Sequence, residues 1–144
     1  MAVVRGSAKY PDIQGSVEFF PAGSGTWVRA DISGLPSSKE PCSGRFFGFH
    51  IHAGGSCSGT ASEPFANALG HYNPADCPHP NHAGDLPPLL GADGHAFTIF
   101  LTNRFVVDDI IGKTVIIHAN PDDFHTQPSG NAGEMMACGE IVAI

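Results

Sequence analysis

Six of the eight histidines fall in four short segments whose residue types and spacing suit metal binding. The segments are Gly48-Phe49-His50-Ile51-His52, His71-Tyr72-Asn73-Pro74, His79-Pro80-Asn81-His82-Ala83-Gly84-Asp85 and Ile116-Ile117-His118. Imidazole is the commonest protein metal ligand, and a nitrogen-rich tetragonal set is typical of Cu(II). His50, His52 and His118, with a fourth nitrogen from His71, would make such a set. Three histidines and a carboxylate, His71, His79, His82 and Asp85, would make a closed tetrahedral zinc site. His71 would then give one ring nitrogen to each ion as an imidazolate, a form that two flanking cations favour. His95 and His125 lie outside these segments and read as surface or hydrogen-bonded residues.

The elements that must carry these ligands read as β-strands. Short runs rich in Val, Ile, Phe and Thr recur between turn residues, at 2–9, 14–20, 26–33, 45–53, 94–101, 114–119 and 137–143. Tyr10-Pro11-Asp12 turns the first pair, and Gly34-Leu35-Pro36 stops the third strand. In 45–53, Phe47, Phe49, Ile51 and Ala53 share one parity and would face a core. His50 and His52 share the other and would project side by side. Val115, Ile117 and Ala119 likewise alternate with Ile116 and His118. Residues 54–92 follow neither period and are dense in Gly, Pro, Ser, Asn and His. A loop of that length in a compact domain is usually functional or disordered, and its ligand candidates favour function. A second irregular stretch spans 120–136.

A chain of 144 residues without internal repeat or linker is expected to be one domain, 1–144. Eighteen glycines and 12 prolines favour turns, charged residues are only 15%, and runs suited to long amphipathic helices are missing, so with the recurring short strands an all-β fold is expected. The net charge is −7 with no basic patch, so no nucleic-acid partner is expected. No apolar run approaches membrane-span length, so no membrane association is expected either. The start, Met1-Ala2-Val3-Val4-Arg5, lacks a long apolar segment, and a cytoplasmic chain is expected. Four cysteines suit an oxidising compartment, so a mature secreted form is the alternative.

Over nearly its full length the chain closely resembles the copper/zinc superoxide dismutases. The resemblance rests on Gly48-Phe49-His50-Ile51-His52, on His71-Tyr72-Asn73-Pro74, on His79, His82 and Ala83-Gly84-Asp85, and on His118. It implies an eight-stranded Greek-key β-barrel, an immunoglobulin-like sandwich, with the metals outside the barrel under two long loops. It also implies copper and zinc as cofactors and superoxide as substrate, dismuted to oxygen and hydrogen peroxide. Copper would be held by His50, His52, His71 and His118, and zinc by His71, His79, His82 and Asp85. His71 would bridge the ions and deliver a proton to the product. Asp122 matches the carboxylate that links a copper ligand to a zinc ligand, here His50 and His79. Both homodimers and monomers fit the resemblance.

Cys57 and Cys138 match the disulfide of the family. Cys42 and Cys77 are extra, and a second disulfide clamping the zinc loop is expected. The alternatives are two free thiols, or Cys77 as an adventitious ligand. The chain departs from the family above the copper. The arginine that binds superoxide there, three residues before the final cysteine, is replaced by Met135, and no Lys or Arg follows Lys113. Reduced substrate capture is therefore expected, because local cations raise such rates by about 10- to 1000-fold. The alternative is a non-enzymatic copper/zinc-binding protein of the same fold, which Met135 and Met136 favour because thioether sulfur suits Cu(I).

Overall fold

The computed structural model describes residues 1–144. Its strands are β1 (Ala2–Gly6), β2 (Gln14–Ala22), β3 (Gly25–Ser33), β4 (Arg45–Phe47), β5 (Phe49–His52), β6 (Leu89–Gly91), β7 (Ala96–Thr102), β8 (Thr114–His118) and β9 (Met135–Glu140). Seven of them form one antiparallel sheet in the order β5-β8-β9-β1-β2-β3-β7, and β4 pairs with β6. β4 leads into β5 at one edge of the large sheet, and β6 turns into β7 at the other. The short β4–β6 pair therefore spans the gap between the edges. With β4 and β5 counted as halves of one strand, this is the eight-stranded Greek-key barrel.

Alternation builds the core. Along β3, Val28, Ala30 and Ile32 are fully buried, while Trp27 between Thr26 and Val28 is exposed. Val17 and Phe19 of β2, Phe49 and Ile51 of β5, and Val115 and Ile117 of β8 join the same cluster. Each such aliphatic or aromatic side chain contributes about 1.5–3 kcal/mol on burial. β5 and β8 are buried on both faces. Their inner residues fill the barrel, and their outer residues, His50, His52, Thr114, Ile116 and His118, lie beneath the loops.

The expected single strand 45–53 breaks at Gly48. Gly48 N–H donates to the Asn120 carbonyl at 2.9 Å, and His118 N–H donates to the Gly48 carbonyl at 2.8 Å. A Cβ at position 48 would stand 2.8 Å from the Ala132 Cβ and 3.2 Å from the His118 Cβ. The second loop packs too closely there for any side chain. Ala53, expected inward, is exposed because the strand ends at His52. Three elements lie outside the expected set: β6 and a 3-10 turn (Ala66–Ala68), both inside the aperiodic stretch, and one helical turn, α1 (Val107–Ile110), which buries Ile110. The last strand starts two residues earlier than expected, at Met135.

Cys57 and Cys138 form a disulfide. It joins the first loop to β9 beside Phe65, Ala68 and Ile116. The expected second bond is not formed, and Cys42 and Cys77 are free thiols. Cys42 is exposed in the connection before β4. Cys77 is fixed in its own turn, where its N–H donates to Asn73 Oδ1 at 2.9 Å and its carbonyl accepts from Asn73 Nδ2 at 2.9 Å.

Candidate metal centre

β5 is the template on which the site is assembled. Its outer edge would be an unpaired row of backbone groups, and two loop segments cover it. Tyr72 N–H donates to the Ile51 carbonyl at 2.8 Å, and Ile51 N–H donates to the Gly84 carbonyl at 2.8 Å. His71 thereby lies across from His52, and Asp85 across from His50. Directly opposed residues project on the same face. Pairing on the other side of β5 brings in β8, which ends on His118. Thus the loop ligands are set by the same hydrogen-bond register as the strand ligands.

Two four-membered donor sets result, each within 4.8 Å: His50, His52, His71 and His118, and then His71, His79, His82 and Asp85. His71 belongs to both. The second set is tight: His71 Nδ1 is 3.0 Å from His82 Nδ1 and 2.8 Å from Asp85 Oδ1, and His79 Nδ1 is 2.9 Å from Asp85 Oδ2. In the first, His52 Nε2 and His118 Nε2 are 3.3 Å apart. Two ligands on a tetrahedral ion with bonds of 2.0–2.1 Å stand about 3.3 Å apart, so these separations suit a metal.

The ring orientations are fixed from behind. His50 and His79 each donate Nε2–H to Asp122, to Oδ2 and Oδ1 respectively, both at 2.8 Å. His52 donates Nδ1–H to the Leu69 carbonyl at 2.7 Å, and His118 donates Nδ1–H to the Gly133 carbonyl at 3.1 Å. Each ring is left with one bare nitrogen turned inward. The buried side-chain atoms without a hydrogen-bond partner are His50 Nδ1, His71 Nε2, His79 Nδ1 and Asp85 Oδ1. Buried polar atoms are almost always partnered, and these four all belong to the two donor sets.

Electrostatics keeps the donors in their ligating forms. Burial and the neighbouring His118 hold the His52 imidazole down at about 2, and burial and His50 hold His118 at about 3. Burial also lowers His50 and His82. For Asp122, burial acts to raise the carboxyl, but hydrogen bonds from His50, His79 and the Phe124 N–H outweigh it and leave it well below the carboxylate range. Asp85 is likewise lowered against its burial, chiefly by His71.

One cleft is lined by His52, His71 and His118 of the first set, by His82 of the second, and by Glu63, Glu134 and Met135. No lysine or arginine lines it. Glu134 accepts from Lys9 Nζ at 2.9 Å and from the Tyr10 hydroxyl, so the β1–β2 turn anchors the residue beside Met135. Arg104 donates to the carbonyls of Pro80 at 2.7 Å and His82 at 3.0 Å, bracing the segment that carries two ligands. These supports, and the carbonyls of Leu69 and Gly133, escape sequence reasoning because a backbone acceptor has no residue signature. His95 pairs with Asp31 at the surface, and His125 is exposed beside Asp123, so both stand apart from the site.

A profile of the copper/zinc superoxide dismutase family matches residues 13–141. The chain is 34% identical over 150 residues to a superoxide dismutase [Cu-Zn] of Deinococcus radiodurans, covering 92% of this chain and 79% of that protein. It is 32% identical over 145 residues to one of Aquifex aeolicus, covering 90% and 80%. Among solved structures, a Cu/Zn superoxide dismutase from Brucella abortus superposes with a TM-score of 0.80 at 26% identity over 97% of both chains. A mutant of a superoxide-dismutase-like protein from Bacillus subtilis gives 0.78 at 30% identity, over 99% of this chain and 97% of that one. By profile, sequence identity and fold together, the chain belongs to the copper/zinc superoxide dismutase family.

Proposed function

We propose that the protein dismutes superoxide at a copper/zinc centre bridged by His71, with weaker substrate capture than a cleft with a cation would give. The observation that carries this reading is the placement of orphaned donor atoms in two sets that share one imidazole. A purely structural zinc site would need only the second set. In this reading His50, His52, His71 and His118 hold copper, and His71, His79, His82 and Asp85 hold zinc. Two superoxide ions and two protons give one oxygen and one hydrogen peroxide.

Bound copper supplies the one-electron redox chemistry. The chain's residues do the rest. His71 Nε2 is buried and unpartnered, while Nδ1 faces the other set, so Nε2 would serve the copper set and, when not holding copper, would be the nitrogen to carry a proton to the peroxide product. Asp85 and His82 keep its Nδ1 turned to the other set. Asp122 ties the two halves together through His50 and His79, so neither ring can rotate alone. Two divalent ions, less one carboxylate and one imidazolate, leave a centre of about two positive charges, which attracts an anion without a side-chain cation. Met135 and the two glutamates at the mouth contribute no such attraction.

The second reading is a copper- and zinc-holding protein without turnover, and Met135 at the copper side favours it. Pulse radiolysis of the copper- and zinc-loaded protein across ionic strength separates the two. Superoxide decay no faster than in buffer rejects the enzyme.

A further inference from the structure

We infer that Met135 is a ligand for copper in its reduced, Cu(I), state, adding one thioether sulfur to the histidine nitrogens that hold the ion. The inference rests on reading His50, His52, His71 and His118 as the copper set.

Register places Met135 on the same side of the sheet as His118. Met135 pairs with His118 across the β8–β9 ladder, at a bulge after Ile117. Directly opposed residues of an antiparallel pair share a face, with Cβ atoms about 4.5–5.5 Å apart. Met135 and His118 therefore leave the sheet together, and both line the cleft with His52 and His71. Behind it, Met135 rests on the cluster of Phe65, Ala68, Ile116 and Cys138, which limits the directions its chain can take. The next residue shows the contrast. Met136 points the other way, is fully buried and belongs to the barrel core.

Chemistry selects the ion and its state. Thioether sulfur is a soft donor that prefers Cu(I), whereas Cu(II) is satisfied by imidazole nitrogen. A donor that binds the reduced ion more tightly than the oxidised one raises the reduction potential. The walls agree, because Glu63 suits the arrival of a cation and no lysine or arginine lines the cleft, while the charge of Glu134 is shared with Lys9.

Competition with a Cu(I) chelator and with a Cu(II) chelator tests the inference on the full chain. Met135→Leu should weaken Cu(I) binding about tenfold and leave Cu(II) binding unchanged, lowering the potential by about 59 mV. Met136→Leu should change neither. In selenomethionine-labelled Met136→Leu protein, selenium X-ray absorption should show a copper neighbour after reduction and none after oxidation. Unchanged Cu(I) affinity in Met135→Leu, with no copper neighbour at selenium, overturns the inference while leaving the copper site standing. If His118→Ala binds copper as well as the unaltered protein, both the inference and the reading beneath it fall.

Discussion

Met135 stands directly opposite His118 in the β8–β9 ladder, so the side chain beside the first donor set is chosen by strand register. A guanidinium at this position would sit beside His118, at the mouth of a cleft that otherwise has two carboxylates and no lysine or arginine. Met135→Arg should raise the superoxide rate constant about tenfold at low salt, the lower end of what local cations contribute. The gain should shrink as ionic strength rises and the Debye length falls to about 8 Å. Pulse radiolysis at two salt concentrations reads both effects. An unchanged rate would mean that capture does not limit turnover.

Asp122 hydrogen-bonds a ligand of each set, His50 and His79, and Gly130 makes room for it. Gly130 has φ +73, and a Cβ there would stand 2.0 Å from Asp122 Oδ1 and 2.7 Å from His79 Nε2. Asp122→Ala and Gly130→Ala should therefore act alike. The first removes the carboxylate, and the second pushes it off His79. Loss of such an orienting partner weakens metal binding by about 10- to 100-fold. Zinc and copper affinities, measured by chelator competition, should both fall. A loss confined to one metal would show that the carboxylate does not couple the two sets.

The strand pair was legible because it obeys a short-range rule. His50 and His52 sit two apart on a strand whose other face is Phe49 and Ile51, and that alternation is visible in the residues alone. The loop ligands are positioned by pairing with a distant strand edge, as in Ile51 N–H to the Gly84 carbonyl, and no local pattern announces such a contact. Gly48 illustrates the same limit. Its flanking residues continue an unbroken alternation, yet Ala132 presses on it from the second loop and splits the strand. The expected bond between Cys42 and Cys77 failed for a related reason: sequence shows that two thiols exist but not that Asn73 holds one of them in its own turn.

Cys57 and Cys138 are 81 residues apart and close the loop that carries His71, His79, His82 and Asp85. In the chain-entropy account, closing a loop of that size stabilises the fold by about 4.5 kcal/mol, with measured losses commonly 2–5 kcal/mol. The bond also fixes Phe65 and Ala68 against Ile116, the cluster on which Met135 rests. Cys57→Ser with Cys138→Ser should lower the urea midpoint of the metal-free protein by a corresponding amount. It should also speed zinc release from the loaded protein. A normal zinc off-rate in a destabilised variant would mean that the loop is held by its β5 pairing alone.

Asp123 gives the second loop its own acid-sensitive fastening. The Thr126 hydroxyl, the Thr126 N–H at 2.8 Å and the His125 N–H at 3.0 Å all donate to its carboxylate. These bonds, the Thr126 hydroxyl first, hold its pKa down to about 2, below the ordinary 3.8. A carboxylate whose folded pKa is depressed stabilises the fold fully above the unfolded value. That contribution is lost as pH falls through the folded one. The Asp123 contribution should therefore be complete above about pH 4 and vanish near pH 2. Asp123→Asn should be less stable than the unaltered protein in urea at pH 7, and the two should converge as pH is lowered through that window. Curves that stay parallel from pH 7 to pH 2 would show that the turn is held by something other than the charged carboxylate.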